Sequence, residues 1–322
     1  MEGLAAYTRK IEAGLTAVDF PTSPNQLYDP LRYFLTIGGK RIRPILTLLG
    51  AQLFSASVDK AFPQAISIEL FHNFTLIHDD IMDAAPLRRN QETVHVKWNN
   101  DIAILSGDVL LIKAYQELGK IDPAHLPEAF ALFNKTAIEV CEGQQMDMDF
   151  EIAENVTIDQ YIEMIRLKTS VLLGCALEIG AIVAEASKKD REALYNFGQH
   201  IGIAFQIQDD ILDLYADPDK FGKQVGGDVI ANKKTLLYLT ALEKATLEQK
   251  EQLRQLENEQ DLTLKVERTR QLFDQIGTKQ ICQERMSHHY DQAIHFLQLI
   301  DVSDSSKEPL QALSEFLMQR DQ

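Results

Sequence analysis

Asp79-Asp80-Ile81-Met82-Asp83 and Asp209-Asp210-Ile211-Leu212-Asp213 repeat one pattern, D-D-x-x-D, 130 residues apart. In a helix, at about 100° per residue, the first and fifth positions stack and the second lies beside them. Each triplet thus turns three carboxylates toward one small volume. Carboxylates about 5 Å apart repel by roughly 3 kcal/mol at an effective dielectric near 20, a cost that a cation removes. Mg²⁺ suits such a site: it takes oxygen ligands, keeps some waters and completes its octahedron with phosphate oxygens. Paired triplets therefore imply a diphosphate substrate. A single acidic triplet is ordinarily a solvated helix face. Here apolar runs lead into both, residues 70–77 into the first and 201–207 into the second. A solvated face is not embedded in segments that are apolar all round.

Cations cluster where a diphosphate would need them. Ile37-Gly38-Gly39-Lys40-Arg41-Ile42-Arg43-Pro44 sets two glycines before three cations, with Pro44 suited to a first helical turn. The glycines let the backbone approach a ligand, and Lys and Arg supply charge and forked donors. Arg88-Arg89 follows the first triplet by five residues. His72 lies two helical turns before Asp79 and shares its face, whereas His78 points elsewhere and is given no role. Leu167-Lys168-Thr169-Ser170 sets polar groups between apolar runs, and Gln206 sits about one turn before Asp209 and Asp210. Lys223 and Lys233-Lys234-Thr235 follow the second triplet.

The elements that must position these residues are helices. Periodicity predicts them at roughly 3–18, 26–37, 43–55, 60–83, 101–120, 124–150, 157–186, 188–216, 228–246, 262–299 with a break near Gly277, and 305–320. Breaks are expected at 21–24, 84–90, 122–123, 217–227 and 301–306, all rich in turn residues. Only 16 Gly and 10 Pro interrupt 322 residues, which favours long helices. One all-α domain, 1–322, is expected: a single-domain bundle of long helices around a central cavity that both triplets face. Net charge −16 without an extended basic stripe excludes nucleic acid as a partner. Three cysteines, Cys141, Cys175 and Cys282, show no metal spacing and read as thiols in a reducing cytoplasm. No run reaches the ~18 apolar residues of a transmembrane segment, and the N-terminus lacks an apolar signal core.

Taken in order, the motifs G-G-K-R-x-R-P, E-x-x-H before D-D-x-x-D, R-R, G-Q-x-x-D at 143–147, K-T, F-Q-x-x-D-D-x-x-D and G-K-x-x-G-x-D resemble the trans-prenyltransferase family, the all-trans isoprenyl diphosphate synthases. They run from residue 38 to about 235, roughly 60% of the chain. The resemblance implies that Asp79, Asp80, Asp83 and Asp209, with Asp210 and Asp213 behind them, hold up to three Mg²⁺ against the diphosphate of an allylic substrate. It implies that Arg88, Lys168, Lys223 and Lys233 grip that diphosphate. Lys40, Arg43, His72 and Arg89 would hold isopentenyl diphosphate, and Thr169 and Gln206 would lie beside the carbocation. Lys168, Thr169, Gln206 and Arg88 are thereby the catalytic candidates. Asn232 departs from the family, where many relatives have Gly before the lysine.

The implied reaction ionises an allylic carbon–oxygen bond, with cations on the leaving diphosphate and a dry apolar cavity around the carbocation. The isopentenyl double bond then attacks, and a proton leaves to the diphosphate. The starter would be dimethylallyl, geranyl or farnesyl diphosphate. Residues four and five before the first triplet, Thr75 and Phe74, set product length in the family, and a single aromatic at the fifth position implies the C20 product, geranylgeranyl diphosphate. C15 farnesyl diphosphate and longer chains are the alternatives. Helix phase places Phe74 nearly opposite the aspartates, so its role rests on the resemblance. The family also implies a homodimer. A terpene cyclase would lack the second triplet and the Gly-Gly-Lys-Arg site, and a non-catalytic subunit of a heteromeric synthase would lose its aspartates.

Overall fold

Helices form where the apolar residues recur at helical spacing and where capping side chains stand at the boundaries. The computed structural model describes residues 2–216 and 225–319. Its residues group into two compact units: Met1–Asn134, Cys175–Glu192 and Val302–Ser306, and Lys135–Gly174, Ala193–Asp301 and Lys307–Gln322.

In the first unit, α1 (Glu2–Thr16), α2 (Asn25–Thr36) and α3 (Ile42–Leu53) precede α4 (Phe62–Met82), which carries the first triplet. Pro63 opens α4, where a missing N–H costs nothing. The helix buries Gln64–Phe71 without interruption, then shows alternating exposure toward Asp79. A hairpin follows, β1 (Leu87–Arg88) against β2 (Gln91–Glu92), then α5 (Val94–Lys97) and α6 (Asn100–Leu118). Arg89 and Asn90 form the two-residue hairpin loop with φ of 52° and 63°, the positive pair a type I′ turn requires. Helix α6 is capped by Asn99, whose Oδ1 accepts from the Ile102 amide at 2.9 Å. It lies so close to α4 that a Cβ on Gly107 would sit 2.3 Å from His78 Nε2. The core of this unit includes Leu48, Ile68, Leu70, Phe71, Ile77, Leu110 and Phe133.

In the second unit, α7 (Leu126–Ile152) supplies its C-terminal part and α10 (Lys188–Tyr215) carries the second triplet. Between them in sequence lie α8 (Ile158–Ile165), a π-helical turn, Arg166–Ser170, and α9 (Val171–Val183), which from Cys175 onward belongs to the first unit. A capping box of Thr157 and Gln160 starts α8. Short helices α11 (Gly227–Ile230) and α12 (Leu236–Lys244) follow, then α13 (Leu247–Glu257), α14 (Leu262–Ile276), α15 (Thr278–Gln298) and α16 (Asp304–Met318). Their core holds Ile165, Ile207, Leu214, Leu236, Leu272, Phe273 and Cys282.

The all-α reading holds, with local differences, among them the hairpin and α5 where no element was expected. The expected 157–186 helix is divided by the π turn. The expected 228–246 helix is two, because 231–235 leave the helical path. Residues 247–257, given no helix by periodicity, form α13, started by a Thr246–Gln249 capping box that offsets a face with Leu253 as its only buried residue. The break near Gly277 is present, with Gly277 at φ 81°. The end expected at 217–220 lies outside the described residues. Among the described residues, no helix is long and apolar enough to cross a membrane.

Candidate active site

The three aspartates of α4 have different surroundings. Asp79 is half-buried and Asp83 exposed, while Asp80 is 1% exposed. Arg88, at the end of β1, donates from Nε to both Asp80 oxygens at 2.9 Å and brings its Nη2 to 2.7 Å from Oδ1. Burial pushes the Asp80 carboxyl up, and the Arg88 hydrogen bonds and charge oppose that rise. Thr93 Oγ1 donates to the Ala85 carbonyl at 2.8 Å, and the Ala85 amide to the Asp80 carbonyl at 3.0 Å, so the segment bearing Arg88 is tied back to α4.

The Gly-Gly loop belongs to the same unit. Gly38 and Gly39 take φ of 86° and 144°, and Arg41 enters α3 at φ 53°. Arg89 Nη1 donates to the Gly38 carbonyl. A Cβ on Gly39 would stand 2.6 Å from the same guanidinium, so glycine is needed for that approach. Arg43 Nη1 donates to His72 Nε2 at 3.1 Å. Burial, then the charges of Arg43, Arg89, Arg88 and Arg41, hold the His72 pKa well below its ordinary value, so its ring is neutral at neutral pH. Burial also brings the Arg43 pKa down to about 10, Glu69 opposing and Arg89 reinforcing. The structure thus gathers His72, Arg43 and Arg89, with exposed Lys40 next to them in sequence. Arg41, one of the three cations that follow the two glycines, is instead buried and pairs with Glu69 at 2.6 Å and the Leu35 carbonyl at 3.1 Å. It anchors the loop to α4.

In the second unit the polar turn is the π turn. Its backbone lies against Gly143 of α7, where a Cβ would sit 2.2 Å from the Lys168 nitrogen. A Cβ on Gly202 of α10 would stand 2.7 Å from Ser170. Such one-turn π bulges recur at functional sites. Lys168 Nζ pairs with Asp147 Oδ2 at 2.5 Å, and Thr169 Oγ1 donates to Gln206 Oε1 at 3.3 Å. Gln206 Nε2 in turn reaches Asp210 Oδ1 at 3.4 Å. Asp210 is 4% exposed; its Oδ2 accepts from the buried Tyr161 hydroxyl and, at 3.3 Å, from the Leu236 amide. Burial, then the Asp228 charge, pushes the Asp210 carboxyl up to about 8, against the pull of these donors. Tyr161 rises well above its ordinary value, chiefly by burial and then the Asp210 charge. Asp213 Oδ2 accepts from the Asp228 amide at 3.0 Å at the start of α11.

Sequence reasoning missed Tyr161 and the pairing of Asp147 with Lys168, and it gave no role to Glu69 or Asp228, although both stand in the quoted motifs. A tyrosine one helix away leaves no spacing signal; Asp147 lay inside a motif already singled out. Lys223 lies outside the described residues. Among the described residues no three His, Cys, Asp or Glu side chains converge closely enough to hold a metal alone. The donor chemistry still fits Mg²⁺, which binds through one or two carboxylates together with waters and diphosphate oxygens rather than in an all-protein cage.

Residues 24–276 match the sequence profile of the family described as polyprenyl synthetase. The chain belongs to the polyprenyl synthetase family. It is 44% identical over 225 residues to a geranylgeranyl diphosphate synthase of Methanosarcina mazei, 69% of each chain. Over 301 residues, 92% of each, it is 39% identical to a geranylgeranyl pyrophosphate synthase of Geoglobus acetivorans. A geranylfarnesyl diphosphate synthase of Natronomonas pharaonis is 41% identical over 260 residues, 75% of this chain and 76% of the relative. The crystal structure of a geranylgeranyl pyrophosphate synthase superimposes with a TM-score of 0.94 at 41% identity, covering 98% of both chains. As a polyprenyl synthetase with these relatives, the chain is a trans-prenyltransferase of isoprenoid biosynthesis with the all-α isoprenoid synthase fold.

Proposed function

We propose that this enzyme joins isopentenyl diphosphate head to tail to an allylic diphosphate and releases geranylgeranyl diphosphate. The cluster of neutral His72 with Arg43, Arg89 and the Gly38-Gly39 backbone supports an anion site for isopentenyl diphosphate, with Lys40 as a further cation. Arg88, Lys168 and Lys233, together with Lys223, are assigned to the allylic diphosphate. Asp79, Asp80, Asp83 and Asp209 are the residues that would hold up to three Mg²⁺, with Asp210 and Asp213 behind them; the bound metal would stabilise charge on the leaving diphosphate.

This chain's residues then supply orientation. Arg88 holds Asp80 and remains beside the carboxylates it neutralises. The Thr169 hydroxyl and the Gln206 amide form one hydrogen-bonded pair, and their oxygens suit the neighbourhood of a developing carbocation.

Phe74 carries the assignment of length. It lies on α4 little more than one turn before Asp79, half-buried, with its ring 5.7 Å from Phe71 and 4.7 Å from His78. Phe71 packs in turn on Phe133 at 5.2 Å. An aromatic braced on both sides resists displacement by a growing chain, and Thr75 beside it is tied to the His72 carbonyl at 2.9 Å. The names of the geranylgeranyl relatives agree with C20; those of geranylfarnesyl relatives favour C25 as the second reading. Extended incubation with Mg²⁺, isopentenyl diphosphate and dimethylallyl, geranyl or farnesyl diphosphate, followed by chromatography, tests this. A main product of C15 or C25 overturns the length, and no elongation by the chain alone overturns the function in favour of a non-catalytic subunit.

The chain is further proposed to work as a homodimer in the cytoplasm. Leu105 and Ile112 of α6 are 57% and 58% exposed on one helix face, with Ile104 beside them, an apolar stripe that a second copy would cover. Cys141, Cys175 and Cys282 are thiols rather than disulfides, which suits a reducing compartment.

A further inference from the structure

Helix α12 begins without a cap of its own. Thr235 occupies the N-cap position, but its side chain makes no capping bond. Its first amide, Leu236 N, donates instead to Asp210 Oδ2 of α10 at 3.3 Å. That oxygen also receives the Tyr161 hydroxyl of α8, while Oδ1 takes the Gln206 amide at 3.4 Å. Tyr161 and Asp210 are each 4% exposed. A carboxyl oxygen that accepts from the first amide of a helix does what a local cap does, from a different element.

The segment leading into α12 is pinned at each end. Gly226 N donates to the Asp213 carbonyl at 2.6 Å and Asp228 N to its Oδ2 at 3.0 Å. Lys233 N donates to the Asp228 carbonyl at 2.9 Å, and Lys234 Nζ to the Phe150 carbonyl at 2.6 Å. Lys233 therefore leaves from a backbone fixed by Asp213 before it and by the Asp210 cap after it.

We propose that Tyr161 is a positioning residue for diphosphate capture: by holding the Asp210 carboxyl group against the start of α12, it sets the backbone from which Lys233 reaches the allylic diphosphate. The inference rests on the assignment of Lys233 made above. Tyr161 touches no reacting atom in this scheme. It acts through Asp210 and α12.

The test compares Tyr161→Phe, Lys233→Ala and the double variant in the full chain. Kinetics with farnesyl diphosphate at saturating isopentenyl diphosphate and Mg²⁺ are read beside hydrogen exchange of the first α12 amides. Tyr161→Phe is expected to speed exchange at Leu236 about five- to tenfold, the worth of one hydrogen bond. KM for farnesyl diphosphate should rise by a similar factor with kcat within about twofold, and the phenylalanine should add little once Lys233 is gone. Unchanged exchange at Leu236, an unchanged KM, or a full additional loss in the Lys233→Ala background overturns the proposal. Lys233→Ala with no effect on KM removes the assignment of Lys233 instead, and Leu236 exchange then decides whether Tyr161 holds the cap. If Tyr161→Phe does not fold, Asp210→Asn, which keeps the volume, is read by the same exchange measurement.

Discussion

Arg88 and Asp80 form a closed pair in which one guanidinium satisfies both oxygens of a buried carboxylate, with Nε 2.9 Å from each. The pair joins the last turn of α4 to the first hairpin strand, so its loss costs structure and chemistry together. Arg88→Met is expected to lower stability by about 3 kcal/mol, since it leaves Asp80 buried without a counter-charge. Turnover should fall at least about a hundredfold. Arg88→Lys should recover part of the stability and less of the rate, because an ammonium lacks the fork. Calorimetry with steady-state kinetics checks both; an unchanged melting temperature in Arg88→Met means that the pair does not anchor the hairpin.

Asp79 and Asp209 lead their triplets and are only half-buried. Asp79→Ala and Asp209→Ala are each expected to lower kcat by about two orders of magnitude or more and to raise the Mg²⁺ concentration needed for half-maximal rate. Metal titrations of the two variants provide the measurement. Rates near wild type would remove these residues from the metal site.

Phe74→Ala opens the space its ring fills between Phe71 and His78. The main product is expected to lengthen by at least one five-carbon unit, at a stability cost of about 2 kcal/mol for the half-buried ring. Chromatography of the dephosphorylated products reads the shift, and an unchanged distribution would place the floor elsewhere.

His200 and His289 bring their Nδ1 atoms to 3.1 Å, with Phe296 stacked on His200. Burial, then the charges of His200, His288 and Arg285, brings the His289 pKa down to about 4. Burial and His288 lower His200 as well. Unfolded histidine titrates near 6.5, so between about 6.5 and 4 the unfolded chain binds more protons than the folded one. The pair's own contribution to stability is therefore expected to fall as pH drops through that window and to be flat above it, and it is read as the difference in slope between the wild-type chain and His289→Gln. Melting curves from pH 7.5 to 4.5 test this. His289→Gln should shrink the slope, and an equal slope in the variant would show that the pair does not titrate as described.

Leu105→Glu with Ile112→Glu places two charges on the exposed stripe of α6. Light scattering is expected to show dimers for the wild-type chain and monomers for the variant, with the helical circular dichroism retained. Monomers in both would remove α6 as the interface.

Local patterns of residue type and spacing were legible in the sequence. The aspartate triplets, the Gly-Gly-Lys-Arg loop, Arg88-Arg89 and His72 are local patterns on strongly periodic helices, and α4 and α10 fall within a few residues of their expected ends. What escaped is what depends on a distant partner. The inward turn of Asp80 follows from Arg88, and the burial of Asp210 follows from Tyr161 and the amide of Leu236. The 231–235 break and α13 escaped for a second reason. There, apolar periodicity is weak, and a capping box decides what hydrophobic spacing does not.

The π turn at Arg166–Ser170 has a bearing on how the chain tolerates changes of length. Val171 donates its amide to the Arg166 carbonyl five residues back, so α8 and α9 form a continuous helical path carrying one residue more than regular winding would use. Deleting one residue there should heal the path into an ordinary helix without unfolding it. The flanking turns would keep their phase, because the bulge had absorbed the extra residue, and only the side chains of the bulge itself would be redirected. Lys168 and Thr169 would then turn away from Asp147 and Gln206 while the apolar packing behind them survived. A single-codon deletion at this spot would thus leave a protein that is well folded and inert, which separates the scaffold from the chemistry more cleanly than most point substitutions do.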